Sequence, residues 1–438
     1  MTRRLLRERP AARPPQDQPA PQLLRGQAAP RAVRTSPYTG EAAEGTLESA
    51  PARRTTGSGR AAPALGSATP EAPAELTPEL CRSIHAALLG WYGRRRRDLP
   101  WRATRDPYCI WVSEIMLQQT RVQAVIGYYQ RWLERFPTLE ALARADGEDV
   151  LRAWEGLGYY SRARNLQRAA QRVMAAHGGR LPRAIEQLRA LPGIGPYSAG
   201  AIASIAFDAD EPVVDGNVIR VLTRLFGLRG NPRRGPLAGQ LWQLARRLLP
   251  SGKAADFNQA LMELGATVCT PRGARCGECP VARDCRALAL DSVEAFPEAP
   301  PRPALSEERR AAAVIARRDR VLVLRAAPDA VRWAGMWQFP DLKLAPEEQA
   351  RARLPGAIAE STGVRIELGA PFYSLEHHVT RFRIQIEVYR ATAVSGRARA
   401  RDGAELRWCA PHLLSTLAMP LCHRKIARAL TASEEASA

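Results

Sequence analysis

Long hydrophobic runs are missing from this chain of 438 residues. No stretch of about 18 consecutive apolar residues occurs, so we expect no membrane-spanning helix. The N-terminus begins with basic residues, but no apolar segment follows them, which argues against a secretory signal. Because disulfides belong mainly to secreted proteins, a disulfide framework is a poor explanation for the eight cysteines.

Lysine is also scarce: the chain has three lysines against 61 arginines, and its formal net charge is +20. Such a charge indicates a polyanionic partner such as nucleic acid, although an arginine-rich proteome would also produce it. Residues 1–75 contribute little of it, because they hold 11 arginines against seven acidic residues. Those acidic residues also argue against an organelle transit peptide.

The composition changes along the chain in a way that indicates domains. Residues 1–75 are rich in Pro, Ala, Arg, Gly and Ser and lack an apolar period, so we expect a disordered tail. From 76 to 285 the apolar spacing is helical, which predicts a mainly α domain. A Pro-rich linker is expected at 286–309, an α+β domain at 310–430 and a short tail at 431–438.

Individual elements follow from the same patterns. In the first domain the apolar spacing predicts helices over 107–117, 122–132 and 196–207, and the last begins with Pro at its first position. In the second domain, two apolar runs flanking 317–320 predict a β-hairpin, and 381–391 alternates with a period of two. We expect two further helices in that domain, over 357–364 and 423–430.

The segment LPGIGPYSAG, residues 191–200, predicts a tight turn between two helices. Gly193 and Gly195 allow a positive φ and leave no side chain in the way of a ligand. The N–H groups of the turn and of the next helix would then face outward, which suits a phosphate. An ordinary corner between two helices would give the same short pattern.

Two acidic residues stand in apolar surroundings. Asp215 follows Tyr197 by 18 residues in the segment VVDGNV, an unusual choice for packing alone. Glu114 lies in IWVSEIMLQQT, where partial desolvation would raise the pKa of its carboxyl toward that of a general acid. The simpler alternative is that Glu114 lies on the solvent-exposed face of an amphipathic helix.

Five segments in this order resemble the MutY family of the helix-hairpin-helix DNA glycosylase superfamily. The resemblance is strong over about 85–285 and looser over 310–428. It rests on LPWR at 99–102, SEIMLQQTRV at 113–122, WEGLGYYSRARNL at 154–166, LPGIGPYSAGAI at 191–202 and the segment around Asp215.

The resemblance implies an enzyme that removes adenine paired with 8-oxoguanine or guanine in DNA, after flipping the nucleotide out of the duplex. It makes Glu114 the acid that protonates adenine N7 and Asp215 the anion that stabilises the oxocarbenium ion, with Tyr197 and Asn217 orienting them. Where bifunctional relatives have a Schiff-base lysine this chain has Tyr197, so we expect no strand cleavage. The expected DNA contacts are Gln119 and Tyr159 at intercalating positions, together with Leu117, Gly193, Gly195 and Arg102.

Four of the cysteines cluster with the spacing C-x6-C-x2-C-x5-C. Four thiolates so placed can hold zinc or a 4Fe–4S cluster, and the spacing alone leaves both open. The resemblance implies a structural 4Fe–4S cluster, with arginines 272, 275 and 283 close enough to contact the DNA backbone. The predicted ligands are Cys269, Cys276, Cys279 and Cys285.

The second domain resembles the MutT-like domain that MutY proteins carry, through RWAGMWQFP at 332–340 and MPLCHRKIA at 419–427. Its GAIAESTGV segment has a single Glu where Nudix hydrolases need several, so we predict no hydrolase activity. The implied role is recognition of 8-oxoguanine, with a stabilising appendage as the alternative. The family's Phe-Ser-His loop is replaced here, which leaves Thr380, then His377 and Arg381, as candidate contacts.

Two other functions remain open from the residues. One is a pyrimidine-lesion glycosylase and lyase of the endonuclease III type, against which Tyr197, Glu114 and the second domain argue. The other is a DNA-binding scaffold without activity. The resemblance implies a monomer that binds double-stranded mismatched DNA in the cytoplasm of a bacterial-type cell, in association with the nucleoid.

Overall fold

The computed structural model describes residues 76–298, 304–379, 381–401 and 403–435. Within these ranges, no helix has both the length and the apolar character needed to span a membrane. The predicted fold class is confirmed: a helical part is followed by a part built on one mixed sheet. The predicted disordered tail at 1–75 lies outside the described residues.

The helical part runs from the first described residues to the end of the cysteine-rich segment. Its α-helices are α1 (Pro78–Arg95), α2 (Pro107–Leu117), α3 (Val122–Arg135), α4 (Leu139–Arg144), α5 (Gly147–Ala153), α6 (Ser161–Ala176), α7 (Ile185–Arg189), α8 (Pro196–Phe207), α9 (Gly216–Phe226), α10 (Pro236–Leu248), α11 (Ala254–Thr267) and α12 (Arg286–Ala289).

Local chemistry explains where the three helices nearest the candidate site begin. The Asp106 carboxylate accepts a hydrogen bond from the Cys109 N–H, and Pro107 occupies the first turn of α2. Pro196 likewise occupies the first turn of α8. Helix α9 is capped by Asp215, whose carboxylate accepts from the Val218 N–H at 2.7 Å.

Helices α2 and α8 lie between two hydrophobic cores of the helical part. On α2, Trp111 and Met116 pack into the core formed with α3 to α7, whereas Ile110 packs into the core formed by α1 and α9 to α11. On α8, Ile202 and Ile205 are divided between the same two cores. Both helices are therefore apolar nearly all round, as is usual for buried helices.

The second part contains one seven-stranded sheet and two long helices. The strands occur in the order β3–β2–β1–β6–β5, with β4 added beside β1 and β7 beside β2. Only the β1–β6 pairing is parallel among the described strands. The elements are β1 (Ser306–Arg317), β2 (Arg320–Arg325), β3 (Trp337–Gln338), β4 (Asp341–Leu344), α13 (Ala350–Thr362), β5 (Val364–Val379), β6 (Phe382–Gly396), β7 (Glu405–Cys409) and α14 (Leu421–Glu435).

The two helices cover opposite faces of this sheet. Alternate residues of β1 point to opposite faces, so Val314 packs with Ile426 of α14 while Ile315 packs with Leu354 of α13. The predicted hairpin is present, with Arg317 opposite Arg320. The predicted alternation of 381–391 corresponds to β6.

Four predicted boundaries differ from the structure. The second part begins at Ser306 instead of 310, because β1 extends backward beside β6, with Ser306 opposite Phe382. The predicted linker also contains α12. Helix α14 continues through the predicted tail to Glu435, because the sequence after Leu430 contains no helix breaker and the Thr431 hydroxyl donates to backbone carbonyls of the preceding turn. Helix α13 ends before Gly363, which adopts a φ of 72°.

Candidate active site

Glu114 is buried in α2 and meets a tyrosine from α8. Its side chain is among the few buried acidic groups of the helical part, with 5% of the residue exposed. The Tyr197 hydroxyl donates to Glu114 Oε2 at 2.6 Å. The central position of both helices between the two cores holds these groups in place.

Burial changes the acidity of Glu114. Desolvation raises the pKa of its carboxyl to about 7, against the opposing hydrogen bond from Tyr197. Nearby Asp215 adds to the rise through charge repulsion. A carboxyl with a pKa near 7 holds a proton at neutral pH and can still release it, which is what a general acid requires.

Asp215 lies at the start of α9 in a different setting. Burial raises the pKa of its carboxyl above the usual value, while N–H donors from Val218 and Asn217 favour the ionised form. Asn217 Nδ2 donates to Asp215 Oδ2 at 2.8 Å. The N-terminus of α9 also stabilises a negative charge at this position.

One cavity of about 170 Å³ brings these groups together. It is open to solvent and is bordered by both carboxylates and by Tyr197. Part of the remaining lining is charged: Glu263, Arg97 and Arg102 form a group that we call the charged floor. The lining also includes Trp101, Leu117, Val122, Asn217, Gln259 and Met262. The structure therefore places Glu114, Asp215, Tyr197 and Asn217 around one space.

The charged floor was missed by the sequence analysis. Burial raises the pKa of the Glu263 carboxyl, but hydrogen bonds from Arg97 and Arg102 outweigh it and lower that pKa to about 2. Arg97 binds both Glu263 oxygens at 2.8 Å, and Arg102 binds Oε2 at 2.8 Å. The glutamate inside the apolar stretch LMELG is the one sequence signal of this group, and its arginine partners come from a distant segment.

Arg102, which the sequence analysis predicted to contact DNA, lies in the lining of the cavity. Its guanidinium is turned inward, where it donates to Glu263 and to the Arg97 carbonyl oxygen and stacks on the Tyr92 ring. The contact of Arg102 with DNA stays a prediction. The position of Arg102 in the structure is the floor of the cavity.

The predicted turn between α7 and α8 is present, but its two glycines differ. Gly193 has a φ of 77°, and a Cβ there would lie 2.7 Å from Asn165 Cβ. Gly195 has a φ of −87° and no atom within 4 Å of a Cβ position, so it does not use the positive φ that glycine allows but leaves open space beside the turn. Open space beside Gly195 leaves the start of α8 accessible.

Gln119 and Tyr159, the predicted intercalating residues, share a backbone feature. Both are exposed and both have a positive φ, 56° for Gln119 and 47° for Tyr159. Such a conformation is strained for residues other than glycine and is often found at functional sites. Leu117 precedes them in the chain and borders the cavity, half-buried against the first core.

A hydrogen-bond chain connects the cavity to the cysteine-rich segment. Asn217 accepts from Arg220 Nη2 at 2.9 Å, and Arg220 Nε donates to the Cys269 carbonyl oxygen at 2.7 Å. One helical turn later, Arg224 is fully buried and its Nη1 donates to Cys269 Sγ at 3.3 Å. Helix α9 thus carries the capping Asp215 at one end and contacts a predicted cluster ligand along its length.

The four predicted ligand cysteines lie around one small cavity. In the described part of the chain, no three His, Cys, Asp or Glu side chains are grouped closely enough to hold one metal ion. Cys269, Cys276, Cys279 and Cys285 instead border one small cavity with an otherwise mainly apolar lining.

A second groove joins the helical part to the sheet part. It is bordered on one side by Tyr159 and on the other by Arg332, Trp333 and His377. Burial lowers the pKa of the His377 imidazole, so the ring is held toward its neutral form. Thr380, the first candidate for lesion contact, lies outside the described residues, and Arg381 is exposed beside it.

Family models match both parts of the chain. Residues 112–247 match the model described as HhH-GPD superfamily base excision DNA repair protein, and residues 311–429 match the NUDIX domain model. The first match contains Glu114 and Asp215 but not Glu263.

Curated relatives named adenine DNA glycosylase are similar over a larger region. The mouse protein is 42% identical over 61% of this chain and 62% of its own length, and the human protein is 40% identical over 62% and 59%. The protein of Schizosaccharomyces pombe is 32% identical over 60% of this chain and 69% of its own length. The chain therefore spans about three fifths of the length of its mammalian relatives.

Proposed function

Because the chain belongs to the adenine DNA glycosylase family, we propose that it removes adenine mispaired with 8-oxoguanine or guanine in double-stranded DNA. The observation that carries this proposal is the Glu114 carboxyl, which has a pKa of about 7 and shares its cavity with Asp215. Two carboxyls with different environments can divide acid and charge-stabilising roles in cleavage of an N-glycosidic bond.

In this proposal the flipped adenine enters the cavity and Glu114 donates its proton to adenine N7. Protonation makes the base a better leaving group, and the C1′–N9 bond breaks with its electron pair going to the base. Asp215 then stabilises the oxocarbenium ion, and water adds to C1′ and gives its released proton to the Glu114 carboxylate.

Incubation with a duplex that contains one adenine opposite 8-oxoguanine tests this function. We expect strand cleavage at the adenine only after treatment with alkali, because the enzyme leaves an abasic site. A duplex with adenine opposite thymine is the matched control. Cleavage without alkali would indicate a lyase of the endonuclease III type, and no cleavage would indicate a scaffold.

Tyr197 supports a glycosylase without lyase activity. A phenol cannot form an imine, and in this chain it donates to Glu114 instead. Tyr197→Lys should introduce Schiff-base chemistry, since a desolvated amine beside the sugar is a good nucleophile. Borohydride should then trap a covalent DNA complex in the variant and not in the parent; equal trapping in both would remove Tyr197 from this role.

We further propose that the four cysteines hold a structural 4Fe–4S cluster. The support is the common cavity of the four thiols and the Arg224 guanidinium beside one of them, a positive group suited to an anionic cluster. When bound, the group ties the segment 269–285 together. The chain's own arginines in this segment would face the DNA backbone.

Metal analysis of purified protein tests the cluster. We expect about four irons per chain and a yellow-brown colour. Stoichiometric zinc without iron would contradict the assignment. Cys81→Ser, at a cysteine outside the cavity, should leave the iron content unchanged, whereas Cys279→Ser should lower it.

The sheet part is proposed to read 8-oxoguanine opposite the adenine. Its support is the groove in which His377 and Trp333 face Tyr159 across the two parts of the chain. A hydrogen bond to the lesion is worth about 1–3 kcal/mol, or roughly 10–200-fold in preference. Single-turnover excision opposite 8-oxoguanine and opposite guanine should therefore converge in Thr380→Ala or His377→Ala. Unchanged preference in both variants would exclude these contacts.

The proposed substrate also sets the expected location and assembly. A protein that repairs chromosomal DNA acts where the chromosome lies, here the nucleoid of a bacterial-type cell. We propose that it binds mismatched DNA as a monomer, because both the acid pair and the groove are formed within one chain.

A further inference from the structure

Arg162 is a buried cation on α6 without an acidic partner among the described residues. Only 9% of the residue is exposed, and desolvation lowers the pKa of its guanidinium to about 10. A buried charge normally requires a carboxylate or a dense set of hydrogen bonds. The neighbourhood of Arg162 supplies the second of these.

The guanidinium hydrogen-bonds to the backbone of two separate segments. Nη1 donates to the carbonyl oxygens of Ile115, Met116 and Gln118, the last turn of α2, at 2.8, 3.1 and 2.5 Å. Nη2 donates to the carbonyl oxygens of Leu157 and Gly158 at 3.0 and 3.2 Å. Five carbonyls, at a helix C-terminus and in the loop before α6, together neutralise the charge.

Each of these segments leads directly into a strained, exposed residue. Gln119 follows Gln118, and Tyr159 follows Gly158, both with positive φ. A left-handed backbone is unfavourable in a residue other than glycine, so it persists only where neighbours impose it. The Arg162 guanidinium also lies 5.5 Å from the centre of the Tyr159 ring, which has 44% exposure.

We propose that Arg162 is a positioning residue that holds Gln119 and Tyr159 as a preformed pair for insertion into the DNA stack. This inference rests on the proposed function, because only an enzyme that flips a base needs such a pair. Unstacking a base is unfavourable, and side chains that are already ordered lose less entropy when they fill the gap. Arg162 would therefore govern flipping, and Glu114 the bond cleavage that follows.

The test compares Arg162→Lys with the parent in an Asp215→Asn background, which prevents excision. A lysine has its donors on a single nitrogen and cannot bridge five carbonyls of two segments. A duplex with 2-aminopurine opposite 8-oxoguanine reports flipping through its fluorescence. We expect the rise on binding to be lost in the variant, and single-turnover excision in the chain with Asp215 to fall by about 10–100-fold. Arg172→Lys, at an exposed position of α6, is the matched control.

A double-mutant comparison separates positioning from general stability. If Arg162 acts through the pair, Arg162→Lys should change the fluorescence no further once Gln119→Ala and Tyr159→Ala are present. Arg162→Gln is the second variant if the lysine variant is unstable. Additive effects, parent-like fluorescence, or unfolding of both variants would each overturn the proposal. Failure of the parent to excise adenine would instead overturn the proposed function.

Discussion

At the scale of single residues, the three buried carboxyls of the cavity differ in their hydrogen-bond partners. Glu114 has one phenol donor and a pKa near 7, whereas Glu263 has two guanidinium partners and a pKa near 2. Asp215 has N–H donors from its own helix start. The type of hydrogen-bond partner decides which carboxyl carries a proton at neutral pH.

The pH dependence of excision should follow the protonation of Glu114. Since the acid must be protonated to act, the single-turnover rate should fall as pH rises through about 7. Glu114→Gln should slow excision by about 10²–10⁴-fold and remove this dependence. The measurement is the rate constant between pH 5.5 and 9, with the exposed Glu186→Gln as control. If the rate constant of Glu114→Gln falls at the same pH as that of the parent, the titrating group is a residue other than Glu114.

Asp215 has a structural and a proposed chemical role that substitution can separate. Asparagine retains an oxygen that can accept the Val218 N–H, so Asp215→Asn should keep the helix cap and bind mismatched DNA tightly without excision. Asp215→Ala removes the cap as well and should lower the free energy of unfolding by about 1 kcal/mol more. Chemical unfolding and single-turnover kinetics distinguish the two. Near-normal excision by Asp215→Asn would contradict the assignment.

At the scale of elements, the sequence predicts what is local. Helices α2 and α8 follow from a cap or a proline at their first turn, and the hairpin from two apolar runs around a polar turn. The Glu263–Arg97 pair and the carbonyl set around Arg162 were not predictable, because their members come from distant segments and show no periodicity. The sequence does not distinguish a glycine that leaves open space, as at Gly195, from one that adopts a positive φ, as at Gly193.

The turn between α7 and α8 provides a matched pair of substitutions. Gly193→Ala must place a Cβ at a φ of 77° and 2.7 Å from Asn165 Cβ, so the free energy of unfolding should fall by about 1–3 kcal/mol. Gly195→Ala meets open space at a φ of −87° and should leave stability unchanged. Thermal unfolding measures both. An equal loss in the two variants would show that backbone strain is not the cause.

At the scale of the whole molecule, the sheet part is packed onto the helical part through specific bonds. Arg424 of α14 binds both carboxylate oxygens of Glu155, at 2.6 and 2.8 Å, and the pair is largely buried. Trp337 Nε1 donates to Glu148, and the Met336 side chain belongs to a core of the helical part. The groove between the two parts is therefore bordered by walls fixed to each other.

Removing one member of this ion pair should loosen the contact between the two parts. Glu155→Gln leaves the Arg424 charge without its carboxylate, which should lower the free energy of unfolding by about 3 kcal/mol and weaken the preference for adenine opposite 8-oxoguanine. The double variant Glu155→Gln and Arg424→Gln should lose less free energy of unfolding than the sum of the losses in the two single variants. Denaturant unfolding and single-turnover kinetics measure this, with the exposed Arg428→Gln as control. Strict additivity would show that the pair does not couple the two parts.

Because α2 and α8 both lie between two cores, a substitution in either core should change the pH dependence of excision. The proton on Glu114 depends on the exclusion of water by both cores, so a cavity opened by a remote substitution such as Trp132→Ala or Leu241→Ala would hydrate the carboxyl and lower its pKa. Excision would then decline at a lower pH without any change at the catalytic residues. An enzyme weakened in this way would recover part of its rate when the solution is made more acidic, and that recovery distinguishes a packing defect from a chemical one.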